Sequence, residues 1–357
     1  LDGLSLASLT IAPDSVLGIC DHLGLSCRYL DQPPMGGASA IAAVRRAARM
    51  VMAGDVDHVA VIGADRNDGT SFVDLVANFS RVSREAVWPY GAGGPNAVFA
   101  LLTHHYMRAY GATKADFGTL CLAQREMAQS VPHAIFHGVP LTREDYDAAR
   151  LIADPLCLYD CVMPVSGAEG LLVMKEADAI AKGLPFARIL STLERHNAFR
   201  TDPVQVRGGW AVEADAFWAR AGMSPDGVDV VETYDDYPVM AMIQWEDLGL
   251  CGKGEAPAFL RARDPFPGGD FAHNTSGGQL SAGQAGAAGG HLGLVEGLRQ
   301  VTGQAFAHTR EAGQVHRHDW QVKDAEVALV SGFGMVNYDR GMAATACLLA
   351  TGRRAAP

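Results

Sequence analysis

Apolar residues fall at Ile41, Val44, Ala48 and Val51, the i, i+3, i+7 spacing of one helix face, with Arg45, Arg46 and Arg49 between them. Gly36-Gly37 precedes the run and Gly54 follows it, which predicts a glycine turn, a buried helix and a stop. Residues 59–63 then form a short, β-branched apolar run, the pattern of a strand covered on both faces. The plan recurs near the C-terminus, where Gly289-Gly290 opens HLGLVEGLRQV, with Leu294, Leu298 and Val301 on one face, and VALVSGFG follows as a buried strand. Arg46 stands nine residues after Gly37 and Arg299 nine after Gly290. Pairing those glycines predicts a duplicated α/β half.

The remaining elements fit around these two units. Residues 13–25 predict a helix, and CRYLDQPP an extended segment that Pro33-Pro34 separates from the first glycine turn. Polar, turn-rich text from 66 to 94 gives way to helical patterns at 97–110 and 115–129, and Thr142 with Asp145 three residues on caps a further helix. This excursion, at about 67–165, is of the kind that builds lids or dimer contacts. A buried strand is predicted at 167–174, a short helix at 177–182 and a strand in ARILSTLER. The halves therefore divide as 1–183 and 184–357. In the second half, VDVVETYDDY reads as a strand running into an acidic, aromatic turn, where α/β proteins place chemistry. A Gly/Pro-rich loop spans 253–269, and HNTSGGQLSAGQAGAAGG carries enough glycine to demand repeated turns or close backbone approach.

Composition narrows the function classes. With 357 residues and 48% hydrophobic side chains the chain can bury large cores. A net charge of -11 excludes a general nucleic-acid or anionic-membrane surface. The seven cysteines, at 20, 27, 121, 157, 161, 251 and 347, form no CxxC pair, so neither a disulfide framework nor a metal site is expected and a reduced, cytoplasmic setting is. No apolar run approaches the roughly 18 to 20 residues of a membrane helix. The chain starts at Leu1 without Met, leaving room upstream for a targeting segment or a first strand.

The segments GGASAIAAVRRAARMVMAGDVDHVAVIG, NTSGGQLSAGQAGAAGGHLGLVEGLRQV and VALVSGFGMV, in that order and spacing, resemble the thiolase superfamily, and the sterol-carrier-protein type of thiolase-like enzyme in particular. The resemblance covers nearly the whole chain. It implies two βαβαβ halves facing each other in five layers, α-β-α-β-α, a homodimer, and a further strand upstream of Leu1. A coenzyme A thioester would be the substrate, with no cofactor bound by this chain.

The family's catalytic residues do not carry over. Its nucleophilic cysteine, which a helix N-terminus turns into a thiolate, falls on Gly37 when C-A-S-G is aligned with G-A-S-A. The histidine of G-H-P falls on Gln284, the second cysteine of C-x-G-x-G on Val330, and the asparagine of N-E-A-F on Tyr234. Glycine and valine supply neither a covalent thiolate nor a proton acceptor. Cys27, the nearest cysteine in sequence, reads better as a buried structural thiol than as a replacement.

What survives is a glycine scaffold able to bring backbone N–H groups to a thioester oxygen, which favours an enolate. Such a site suits retro-aldol cleavage without a covalent intermediate. Thiolase-like aldolases of steroid side-chain degradation work in this way, with tyrosines in the site and a companion subunit carrying a zinc ribbon and an OB-fold, although Gln284 here is not a tyrosine. The catalytic candidates are Tyr234, Asp235 and Tyr338. Asp235 and Asp236 are neighbours, so at most one should enter the pocket, and Asp235 is the one chosen. Gly37, His273, Gln284, His291 and Ser331 are the substrate-binding candidates, with the two histidines more often structural than catalytic. The leading expectation is an acyl-CoA carbon–carbon lyase. The alternatives are an acyl-CoA acyltransferase and a non-catalytic acyl-CoA-binding or scaffold subunit.

Overall fold

Two mixed sheets carry the architecture of this computed structural model, which describes residues 1–68, 70, 74, 84–91, 94–337 and 340–352. In the first sheet the strands run Tyr29–Asp31, Gly3–Ala7, His58–Asp65 and Gly167–Met174, three parallel and the last antiparallel. In the second they run Ala187–His196, Arg340–Thr351, Val327–Asn337 and Val230–Glu232, with only the last pair parallel. His273 extends that outer edge through an isolated parallel bridge to Val231.

The helices Ser39–Ala53 and Gly289–Thr302 lie between the sheets. Ile41, Val44, Ala47 and Val51 of the first meet Val59 and Val61 on one side and Val330 and Leu349 on the other, with Leu294 and Val301 of the second helix in the same cluster. Burying a side chain such as Ile41 contributes about 1.5–3 kcal/mol. Gly54 ends the first helix at φ 82°, its N–H bonded to the Met50 and Val51 carbonyls. Helix Val16–Leu23 packs on Leu4, Leu6 and Ala60 outside the first sheet. Helices Trp210–Ala221 and Pro238–Asp247 cover the second. The five layers are those the family resemblance implies.

The excursion also has its place. Helices Pro95–Tyr110 and Lys114–Gln129 share a core with the second half, where Phe99, Leu102 and Leu120 join Phe217, Val239 and Trp245. Thr142 and Asp145 form the expected reciprocal cap, on a helix of five residues, Arg143–Asp147.

Several elements differ from expectation. The Gly167–Met174 strand is not buried: Leu172 is 55% exposed, because among the described residues nothing pairs with the strand's outer edge, whereas Arg340–Thr351 is flanked on both sides. The loop at 253–269 contains the helix Ala256–Arg261. Helix Pro238–Asp247 escaped the sequence reading because it is buried all along its length, Gln244, Glu246 and Asp247 included, and so shows no polar face.

The duplication is real, but its register is not Gly37 with Gly290. Each central helix is preceded by a short 3-10 turn, Gly36–Ala38 and Gly286–Ala288, whose first residue is a glycine at φ 52° and 53° respectively. Gly36 therefore matches Gly286, Gly37 matches Ala287, and Arg46 matches Glu296 rather than Arg299. The equal arginine spacing was a coincidence.

Candidate active site

Three backbone segments converge on the first turn, and glycine is what lets them. A Cβ on Gly290, from the second central helix, would collide with the Gly37 carbonyl, and one on Gly334, from the strand Val327–Asn337, with the Met35 carbonyl. A Cβ on Gly332 would lie 2.7 Å from that same Gly37 carbonyl oxygen. The glycine-rich text thus marks close approach, as expected.

The space that a side chain at Gly37 would need is already filled. A Cβ there would fall inside the ring of Tyr234, overlapping Cδ2, Cε2 and Cζ. Gln244, fully buried, fixes this tyrosine from behind. Its Oε1 accepts from the Tyr234 N–H at 3.2 Å and from Ser331 Oγ at 2.7 Å, while its Nε2 donates to the Tyr234 carbonyl at 2.7 Å. Gln284 meets the phenol from the front, Nε2 donating to Oη at 3.2 Å. It is held there by paired backbone bonds, its N–H to the Met163 carbonyl and its carbonyl from the Val165 N–H. Because Oη accepts from Gln284, its own hydrogen points elsewhere. Burial, reinforced by Asp236, pushes the Tyr234 pKa above that of an ordinary phenol, so the group stays protonated and serves as a donor, not a base.

Asp235 and Asp236 differ in their partners. Asp235 points into the Gly278–Ala282 helix: Oδ1 accepts from the Gln279 N–H at 2.9 Å, and Oδ2 from Gln124 Nε2 at 2.8 Å and the Leu280 N–H at 3.4 Å. Burial lifts its pKa to about 6 while these donors pull it down. Asp236, the one not chosen from the sequence, is also buried, and its Oδ1 has no hydrogen-bond partner.

The remaining candidates separate. Ser331 is spent on Gln244. His273 sits in an aromatic box, stacked on Phe271 at 5.7 Å and edge-on to Trp245 at 4.9 Å, with Nε2 2.7 Å from Thr233 Oγ1. Burial lowers its pKa to about 3, which keeps the ring neutral. His291 is buried under Gly63, with Nδ1 3.4 Å from the Ala287 carbonyl and its pKa lowered to about 4 by burial. Val330 packs into the middle layer against Gly293 and Gly297. Tyr338 lies outside the described residues. Gln244 and Gln124 were missed, and the signal was a lone amide inside an otherwise apolar run such as VMAMIQW.

Cys27 packs in the outer cluster beneath helix Val16–Leu23, beside Cys20. Cys161 is nearer the YDDY turn, but burial and the carboxylates of Asp160 and Asp236 push it up to about 12, far from a thiolate. Among the described residues no three His, Cys, Asp or Glu side chains come together as metal ligands.

Residues 192–345 match the family model described as "Thiolase C-terminal domain-like". The 17-hydroxy-3-oxo-4-pregnene-20-carboxyl-CoA lyase of Mycobacterium tuberculosis is 31% identical over 323 residues, which cover 85% of this chain and 81% of that protein. The chain belongs to the thiolase superfamily. The steroid side-chain-cleaving aldolase of Thermomonospora curvata is 28% identical over 85% of this thiolase-like chain and 80% of its own length. The solved structure of an "Ltp2-ChsH2(DUF35) aldolase" superposes with a TM-score of 0.77 at 24% identity, over 99% of this chain and 87% of that one, which shows the shared fold. In this chain the Tyr234 ring occupies the space that a side chain at Gly37 would need.

Proposed function

We propose that the chain cleaves a carbon–carbon bond in a β-hydroxyacyl-CoA by a retro-aldol route with no covalent enzyme intermediate. The observation that carries this reading is the occupation of the Gly37 side-chain space by Tyr234. A thiolase needs a thiolate at that point, and no cysteine fits there without displacing the ring. A protonated phenol at the same place can donate to the thioester oxygen as it gains enolate charge, together with backbone amides of the glycine turn. Gln284 orients the phenol. Tyr338, at the end of the strand Val327–Asn337, is proposed to complete the site.

The names of two relatives, a pregnene-carboxyl-CoA lyase and a steroid side-chain-cleaving aldolase, support a bulky steroid-type acyl group. The structural neighbour, an aldolase named together with a DUF35 protein, supports a companion subunit, expected to bear a zinc ribbon and an OB-fold. We also propose a homodimer, a junction of the halves at 183/184, and a cytoplasmic setting, the last supported by seven free cysteines. No helix among the described residues is long and apolar enough to cross a membrane.

The test is to give the purified protein, alone and with its companion, a β-hydroxyacyl-CoA and to trap the released ketone or aldehyde. Release is expected, and Tyr234→Phe should lower kcat by about 100-fold. Covalent labelling of a cysteine, read by intact mass, would instead establish acyl transfer. Tight binding with no turnover under any pairing would establish a silent acyl-CoA-binding subunit.

A further inference from the structure

Retro-aldol cleavage must remove the proton of the β-hydroxyl, and neither Tyr234, held as an acid, nor Gln284 can accept it. We propose that Asp236 is the base that takes this proton, a role that rests on the lyase reading above. The carboxyl is 8% exposed and its Oδ1 has no hydrogen-bond partner. Other buried carboxylates of this region are satisfied. Asp235 is bonded to Gln279, Leu280 and Gln124, Asp160 to Tyr146 and Cys157, and Asp247 to Gly208 and Lys253. Glu246 and Glu296 also carry an oxygen without a hydrogen bond, but each of those oxygens lies near a cation, Lys253 at 3.0 Å and Arg299 at 3.7 Å. An unpartnered buried carboxyl oxygen costs stability, so its retention calls for a use.

Its place also fits. Asp235 is committed to the Gly278–Ala282 helix by its hydrogen bonds, which leaves Asp236, two residues after Tyr234, as the carboxyl of this turn with an oxygen free of hydrogen bonds. The field of Asp236 is felt by Tyr234 more than that of Asp235, and also by Tyr237 and by Cys161. The ionisable groups facing it are therefore two phenols and a thiol, with Asp235 as the neighbouring charge. Burial and that neighbour raise the Asp236 pKa well above an ordinary carboxyl, which makes its ionised form a stronger base.

The step balances without a co-reactant. Asp236 takes the hydroxyl proton, the O–H pair becomes the C=O of the released ketone or aldehyde, the Cα–Cβ pair becomes the carbon–carbon double bond of an enolate, and the thioester carbonyl π pair moves onto its oxygen. One proton returned to Cα completes the shortened acyl-CoA and restores the carboxylate.

The experiment compares the full chain, with its companion where required, as wild type, Asp236→Asn and Asp235→Asn, measuring ketone or aldehyde release against pH. Wild-type kcat should rise with pH along an acid limb set by Asp236. Asp236→Asn should lose 100-fold or more in kcat with little change in KM and with the limb gone. Should that variant not fold, Asp236→Glu tests the same point: turnover persists with the acid limb displaced, and an unmoved limb would overturn the assignment. Asp236→Asn within tenfold of wild type would overturn the role of Asp236 and leave the lyase reading standing. A wild type that releases no carbonyl product from any β-hydroxyacyl-CoA removes the lyase reading, and this role with it.

Discussion

The two glycine turns are copies of one device put to opposite uses. Gly36 and Gly286 adopt the same left-handed conformation and each leads through a 3-10 turn into a central helix. The strand facing each turn also corresponds: a Cβ on Gly63 would crowd the Cα of Ala288, and one on Gly332 the Cα of Ala38. Two residues further along those strands the copies part. The first sheet supplies Asp65, whose Oδ2 accepts from the Ala287 N–H at 2.6 Å, and the second supplies Gly334 opposite the matching turn. One turn is fastened by a carboxylate, and the other has none, with Met335, Ser39, Thr345 and the Tyr234 ring around it. The turn without a carboxylate is the one at which the proposed site forms.

The largest effect that would sharpen this contrast is at the fastened turn. Asp65 accepts from five donors: the Ser8 and Thr10 hydroxyls, the Leu9 and Thr10 amides and the Ala287 amide. Asp65→Ala would leave buried amides unpaired and is expected to cost about 3 kcal/mol or more in urea unfolding. A loss under about 1 kcal/mol would mean that the carboxylate does not hold the second turn.

Next is the unfastened turn. Gly37→Ala drives a methyl into the Tyr234 ring, with an expected cost of about 1–3 kcal/mol. In a Tyr234→Ala background the same substitution should be nearly free, and the double-mutant cycle measures the coupling. Additive losses would break the claim that the phenol occupies the old side-chain space.

Most of the frame was legible from the chain alone, because a helix with one apolar face and a β-branched strand leave period and composition in the text. Ser39–Ala53 and His58–Asp65 are the clear cases. The register of the repeat was not legible, since Gly289-Gly290 and Gly286 are all glycines and only φ distinguishes the turn from the helix that follows. The site was half legible. Alignment by motif placed Gly37, Tyr234 and Gln284, and the structure brings these three together. It chose Asp235 over Asp236 without sight of the partners that fix Asp235, Gln124 and Gln279, which are far away in sequence.

The smallest effect separates the two central helices at matched positions, Arg46 and Glu296. Arg46 reaches half-buried Asp31 and Glu194 at 3.5 and 3.1 Å, whereas Glu296 is buried against Thr275, Gln300 and Trp320. Thr275 Oγ1 lies 2.9 Å from Glu232 Oε1 and 2.7 Å from Glu296 Oε1. A hydroxyl has one hydrogen, so it can donate to one carboxyl, and the other contact needs that carboxyl to bring a proton of its own. Burial and the Glu296 charge accordingly raise the Glu232 pKa well above its ordinary value. A folded-state pKa raised in this way makes a contribution to stability that is fully present below the unfolded value of about 4.3 and lost as pH rises through the folded one. Glu232→Gln keeps the shape and removes the titration. Its stability relative to wild type should therefore increase between pH 5 and pH 8, in urea unfolding at the two pH values. A difference independent of pH would show that Glu232 does not bring the proton that the contact with Thr275 needs.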